Sequence, residues 1–291
     1  MGAETMIQSG TLLPNGAEAI LNGDVDISSG SYFSNGEQHR VFSLLRRESP
    51  VHYSKVGPTG PYWSITRYDD IVAVDTNHKL FSSEPHVVVG DNPPGTSPGF
   101  IAKDPPVHDI QRRATMGAVA PTQLAKLESL IRKRVAAILE GLPVGETFDW
   151  VDRVSIELTT QMLATFFDFP WEDRRLLTYW SDVASSQPIS GSPNSSMEER
   201  QRILSTECFP YFARLWKERA AQPPKFDFLS LLAHNPETRN MIDDPLDFIG
   251  NLALLIVGGN DTTRNSITSS VYSLDKFPSE YEKLRADHSL V

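Results

Sequence analysis

Phe248-Ile249-Gly250-Asn251-Leu252-Ala253-Leu254-Leu255-Ile256-Val257, followed directly by Gly258-Gly259-Asn260-Asp261-Thr262-Thr263, is the stretch that decides the fold. It lies between Pro245 and Pro278 in the longest apolar segment of the chain, and helical character returns beyond it through Ile267, Val271, Tyr272 and Leu274. The middle is poorly suited to a helix. Adjacent glycines cost about 1 kcal/mol each relative to alanine in a helix interior, and an acid beside two hydroxyls is expensive to bury unless something pairs with it. A threonine can bond back to the carbonyl four residues earlier, which for Thr262 is Gly258. The expectation is a long buried helix that opens locally and leaves a polar notch in an apolar wall. Such a notch would hold a small polar ligand.

Working outward, 291 residues suffice for one large domain or two smaller ones, and 40% hydrophobic with 22% charged residues is an ordinary globular composition. The run from Phe248 to Val257 is much shorter than the ~20 residues needed to span a bilayer, so no membrane span is expected. Met1 to Gly36 is rich in Gly, Ser, Asn and Asp and has no basic start followed by an apolar stretch. It reads as a loosely ordered leader without a secretion signal. The single cysteine, Cys208, excludes an internal disulfide framework and a cysteine-based zinc site, and fits a cytoplasmic location. A net charge of -10 argues against general nucleic-acid binding.

Several other segments carry pattern. His39 to Glu48 has helical spacing, and Val51-His52-Tyr53-Ser54 and Tyr62-Trp63-Ser64-Ile65-Thr66 read as two strands joined by a Gly-Pro-Thr-Gly-Pro turn. A short helix follows from Tyr68 to Asn77. Glu84 to Ala102 is a long loop containing Gly95-Thr96-Ser97-Pro98-Gly99, a formal match to a serine-hydrolase elbow. That chemistry fails, because the residue after the nucleophile must donate an N–H and Pro98 has none. In Asp104-Pro105-Pro106-Val107-His108-Asp109-Ile110-Gln111-Arg112-Arg113 the prolines announce a helix start and set His108 and Arg112 one turn apart on one face. Two cationic donors near a helix amino terminus suit an anion, although an exposed pair on a capped helix has the same spacing. Pro121 to Leu142 predicts a helix with Leu124, Leu127, Leu130, Ile131, Val135, Ile138 and Leu139 inward and a basic cluster of Lys126, Arg132, Lys133 and Arg134. Phe148 to Phe169, Trp171 to Ser186 and Met197 to Ala221 predict further helices, the last bent by Pro210. The polar linker Pro188 to Ser196 suits a lid hinge.

The run Gly258 to Thr263 resembles the oxygen-binding groove in the long central helix of cytochrome P-450 haem-thiolate monooxygenases, whose pattern is Ala or Gly, Gly, any residue, Asp or Glu, Thr. A glycine hinge with a polar patch at a bend would read the same way. Tyr62 to Ile71 and Phe81-Ser82-Ser83 are similar to that family's first strands and following helix. From about Tyr32 to Val291 the chain resembles the bacterial branch that hydroxylates the terminal methyl of medium-chain alkanes, most of all over Gly145 to Ser155 and Leu255 to Asn265. The resemblance implies a mainly α fold with a small β-hairpin or sheet, residues 1–30 forming a leader and 31–291 an incomplete cytochrome P-450 domain. It also implies that the carboxy-terminal helix, the cysteine loop and the late strands are absent. An amino-terminal fragment of this kind is expected to be inactive alone.

What the resemblance implies for chemistry is specific. The cofactor is haem b, iron protoporphyrin IX, with electrons from NAD(P)H delivered through ferredoxin reductase and ferredoxin, and the substrate is an apolar small molecule. Asp261 relays protons, Thr262 hydrogen-bonds the bound dioxygen, and Thr263 is a supporting hydroxyl. His108 and Arg112 bind a haem propionate, and Gly258 and Gly259 give the cofactor room. No residue of this chain is the iron ligand: Cys208 lacks the family's surrounding loop and reads as an ordinary buried or half-buried cysteine. Arg113 and the basic cluster are candidates for docking an acidic electron donor. Terminal hydroxylation of a sterol side chain or fatty acid is the neighbouring alternative.

Two other classes compete. Asp243-Asp244-Pro245-Leu246-Asp247 matches the magnesium-binding motif of all-helical isoprenoid diphosphate synthases. Pro245, however, pushes Asp244 out of helical geometry, so Asp243 and Asp247 would not share a face, and Asp244 suits a helix cap better. A non-catalytic helical scaffold is the third class.

Overall fold

The hairpin and most of the helices arise where alternation, capping residues and prolines place them. The computed structural model describes residues 14–58, 60–85, 87, 89, 95–185 and 196–290. Two compact units divide the chain, Met1–Asn92 and Pro93–Val291.

The first unit contains α1 (Pro14–Leu21), α2 (Gly30–Ser34), α3 (Gln38–Glu48), β1 (Val51–Ser54), β2 (Tyr62–Ile65) and α4 (Tyr68–Asp75). β1 and β2 pair antiparallel, with Val51 opposite Ile65 and Ser54 opposite Tyr62. Residues 14–30 are not the loose leader their composition suggests; residues 1–13 lie outside the described residues. Ile20 and Ile27 pack with Val41 and Leu45 of α3 in a small core. Gly23, at φ 73°, lets β1 approach so closely that a Cβ would stand 2.2 Å from the Tyr53 carbonyl oxygen. Asp26 then accepts the Tyr62 hydroxyl at 2.8 Å. Two isoleucines and one glycine outweigh the polar composition.

The second unit begins with a 3-10 turn at Phe100–Ala102, then α5 (Val107–Met116) and α6 (Pro121–Glu140). A π-helical stretch, Val151–Ile156, leads into α7 (Glu157–Phe166), and α8 (Arg175–Ser185) follows. The helix expected over Met197–Ala221 is three pieces: α9 (Met197–Ile203), a π-helical turn Leu204–Cys208, and α10 (Phe209–Ala220). Pro210 cannot donate to the carbonyl four residues back, and the wider turn absorbs that loss. α11 (Phe228–His234), α12 (Pro245–Lys276) and α13 (Pro278–Ala286) complete the unit. Its core gathers Leu163 and Phe167 next to α7 and α8, Phe212 and Trp216 of α10, and Phe248, Leu252 and Ile256 of α12. Ring contacts such as Trp216 edge-on to Phe248, 5.2 Å between centroids, knit these helices together. The polar linker read as a lid hinge lies outside the described residues except for Ser196, whose hydroxyl caps α9 by accepting the Glu199 N–H at 3.1 Å.

Two expectations fail here. α6 has the right period, yet none of its residues is buried, and Leu124 and Leu139 remain 40% and 44% exposed. Its apolar side lines an open groove of roughly 710 Å³ with Ile131 and Val135, because no described element covers that face. The central helix, meanwhile, does not open. Asp244 caps α12 by accepting the Leu246 and Asp247 N–H groups, and the helix then runs as regular α through both glycines. Thr262 Oγ1 does donate to the Gly258 carbonyl, at 2.8 Å. A carbonyl oxygen has two lone pairs, so it takes the hydroxyl without surrendering its helical partner.

Candidate functional site

On α12 the two glycines do different work. A Cβ on Gly258 would meet nothing within 4 Å, so the helix faces open space there. A Cβ on Gly259 would lie 2.8 Å from Leu163 Cδ2, so that glycine makes room for α7. Thr262, one turn beyond Gly258, is exposed on the same side. Thr263 is exposed as well, and its hydroxyl has no hydrogen-bond partner among the described residues. Asn260 faces the opposite way and is fully buried, accepting the Thr159 hydroxyl of α7 at 2.8 Å.

Asp261 sits at the seam between these faces, its side chain 20% exposed. All of its contacts fall on Oδ1: the Ser181 hydroxyl donates at 3.1 Å, Arg264 lies at 3.0 Å, and the Asn260 amide donates at 3.4 Å. Arg264 also holds Asp182 of α8 at 2.7 Å. Oδ2 has no partner among the described residues. Sequence reasoning missed Ser181, Asp182 and Arg264. Only Arg264, three residues on along the same helix, could have been found from spacing.

His108 and Arg112 occupy the first two turns of α5, as expected. His108 is 28% exposed and its Nδ1 lies 2.9 Å from Asp109 Oδ1, leaving Nε2 without a partner among the described residues. Arg112 is exposed, and its guanidinium has no ion-pair partner among the described residues. The structure therefore assembles two groups, Gly258, Asp261 and Thr262 on α12 and His108 with Arg112 on α5, and no hydrogen bond or ion pair joins the one to the other. Of the basic residues on α6, Arg134 is turned inward, donating to the Gln161 carbonyl at 2.8 Å and lying over the Trp171 ring, so it is not part of an exposed docking patch.

The competing motifs do not form sites. Asp243 ends a 3-10 turn, Asp244 is the α12 cap, and Asp247 is bonded to Lys103 and Gln111. Among the described residues no cluster of three or more His, Cys, Asp or Glu could hold a metal ion. Cys208 is buried in the core, and burial raises its thiol well above the usual range, so it is no candidate for a thiolate.

No protein-family model matches the chain. A solved structure of cytochrome P450-153 from Novosphingobium aromaticivorans is 39% identical in sequence and superimposes with a TM-score of 0.78, over 91% of this chain and 67% of that one. The chain belongs to the cytochrome P450 family. Two curated relatives agree: linalool 8-monooxygenase of Pseudomonas putida, 32% identical over 89% of this chain, and vitamin D(3) 25-hydroxylase of Pseudonocardia autotrophica, 26% identical over 91%. This P450 chain spans 66% and 64% of their respective lengths. The fold-class expectation, mainly α with a small two-stranded sheet, agrees with these relatives.

The cofactor of cytochrome P450s is haem b. The residues present fit its periphery: Gly258 leaves a helix face open to a flat group, and His108 Nε2 and the Arg112 guanidinium have no partner among the described residues. An iron-ligating thiolate is not among the described residues. No helix among them is long and apolar enough to cross a membrane.

Proposed function

We propose that the protein is a haem-dependent monooxygenase that inserts one oxygen atom from dioxygen into a C–H bond of an apolar substrate. The observation that carries this is the open face of α12 at Gly258 and Thr262 with Asp261 beside it. The stretches Gly145 to Ser155 and Leu255 to Asn265 favour terminal hydroxylation of medium-chain alkanes as the finer reading. Linalool and vitamin D(3), named in two relatives, are also apolar, which supports the substrate class. NAD(P)H, ferredoxin reductase and ferredoxin are the proposed electron source, and the cytoplasm the proposed location. Both compact units are read as parts of one cytochrome P450 domain.

Haem, when bound, supplies the activation of dioxygen. His108 and Arg112 would hold its carboxylates, as charge-assisted donors one helical turn apart. Gly258 keeps the helix face open where a side chain larger than a methyl would intrude. Thr262 keeps a hydroxyl at that face; to donate it forward it must release the Gly258 carbonyl, an exchange of one hydrogen bond for another that costs little. Asp261 would carry protons on Oδ2 while Oδ1 stays anchored to α8 through Ser181 and to Arg264. Gly259 serves packing against Leu163, and Thr263 adds a polar edge.

Thr262→Ala, made in a full-length chain that also carries the iron-ligating cysteine, tests the assignment. Reducing equivalents should still be consumed, but most should appear as hydrogen peroxide rather than hydroxylated product. Peroxide assay against product yield measures this, and unchanged coupling would overturn the role given to Thr262.

A further inference from the structure

The segment 97–103 crosses the first half of α12 with main chain resting on main chain. Gly99 has a φ of 75°, and a Cβ there would stand 2.8 Å from the Gly250 carbonyl oxygen. A Cβ on Gly250 would stand 2.4 Å from the Ser97 carbonyl oxygen. Neither position admits a side chain unless backbone moves. Beside this crossing Asn251 is 1% exposed, and its amide is fully used. Oδ1 accepts the Phe100 N–H at 2.8 Å, and Nδ2 donates to the Asp247 carbonyl at 2.9 Å and to Gln111 Oε1 at 3.2 Å. Gln111 Nε2 in turn donates to Asp247 Oδ2 at 2.9 Å, and Lys103 pairs with Asp247 Oδ1.

This polar knot joins α5, α12 and the strap between residues 97 and 103. Phe100, held in the knot by its N–H as the first residue of its 3-10 turn, sets its ring edge-on to His108, 6.1 Å between centroids at 61°. Asp109 holds the other side of the imidazole at Nδ1. The ring of His108 is thus fixed on one side by its own helix and on the other by a residue whose N–H belongs to α12.

We propose that Asn251 is a positioning residue for His108: by holding the Phe100 N–H it seats the Phe100 ring, and so aims the imidazole at the haem carboxylate. The inference rests on the carboxylate-binding reading of His108 and Arg112. A bare packing role would lower stability without passing through His108, and that difference can be measured. A ligating histidine that loses a supporting partner binds its ligand 10–100-fold more weakly in metal sites, so a loss of about tenfold is expected here.

The experiment titrates haem b onto the whole protein prepared without it, in the wild type, Asn251→Ala, Phe100→Leu, His108→Ala and the double variants with His108→Ala, and follows thermal unfolding of each. Asn251→Ala and Phe100→Leu should each weaken haem binding about tenfold, yet cause no further loss in the His108→Ala background, where they still lower the melting temperature. Phe100→Leu retains apolar volume and answers the question should Asn251→Ala fail to fold. Equal losses of affinity with and without His108 would make the role structural and overturn the proposal. If His108→Ala weakens binding while neither Asn251→Ala nor Phe100→Leu does, the proposal alone falls. If His108→Ala leaves affinity unchanged, the carboxylate-binding reading falls first and the proposal with it.

Discussion

From Phe248 to Ile256 helix α12 buries Phe248, Gly250, Asn251, Leu252 and Ile256, whereas beyond Asn260 it buries no residue. The second half is built from hydroxyls that bond to their own helix. Thr262 donates to Gly258, Ser266 to Thr262 and Ser270 to Ser266, each at 2.7–2.8 Å and each four residues back. Its ties to the rest of the unit are polar, Ser155 with Thr268 and Arg264 with Asp182. One helix therefore has an end held by apolar packing and an end held by local bonds and charge. The difference teaches that helical continuity through Gly258 and Gly259 does not depend on propensity: the buried half and the Asn260–Thr159 bond fix the path on one side of the pair, and the hydroxyl ladder continues it on the other.

The sharpest way to break the comparison is to give each half the same extra methyl. Gly250→Ala puts it against the Ser97 carbonyl and should destabilise the protein by about 1–3 kcal/mol. Gly258→Ala puts it in open space and should stabilise by up to about 1 kcal/mol through helix propensity. Denaturant unfolding of both variants checks the sign, and equal effects would mean that the halves do not differ as described.

A smaller effect is expected from native-state hydrogen exchange. Amides from Phe248 to Ile256 should exchange only with global opening, while those from Ser266 to Lys276 should exchange faster by local opening. Uniform protection along α12 would count against the division.

The smallest effect concerns an ion-pair brace between α7 and α8. Glu157 of α7 bonds Arg174 and Arg175, which lead into α8. Burial by itself would raise its carboxyl, but hydrogen bonds from Gln161 and Arg174 and the charges of Arg175 and Arg174 outweigh that and hold it below the usual 4.5. A depressed folded-state value means the stabilisation is complete above pH 4.5 and is lost as pH falls through the folded value. Wild-type melting temperature should thus fall more steeply on acidification than that of Glu157→Gln, and parallel curves would refute the brace.

How much could be read beforehand follows the range of each interaction. The hairpin, α5 behind its prolines and the Asp244 cap are local features, and they stood where spacing placed them. So did the bond from Thr262 to Gly258, whose partners are one turn apart. The α8 partners of Asp261 and Arg264 were illegible because Ser181 and Asp182 lie about 80 positions away, on a helix with no motif of its own. The split of the glycine pair was hidden for the same reason, since Leu163 decides it. Residues 14–30 misled through composition, where two isoleucines among many small polar residues gave no period. On α6 the period was right and burial did not follow, because periodicity says which side is apolar and not whether anything lies against it.

The crossing of Gly99 over Gly250 has one more implication. A contact made of peptide groups has no rotamers to freeze, and it cannot drift by exchange of one side chain for another. Leu254 and Leu255, a turn further along α12, have no such constraint. Substitutions of apolar volume can accumulate at these leucines while the frame that aligns α5 with α12 stays fixed, so the side-chain surface of the helix can change without re-registering the two helices.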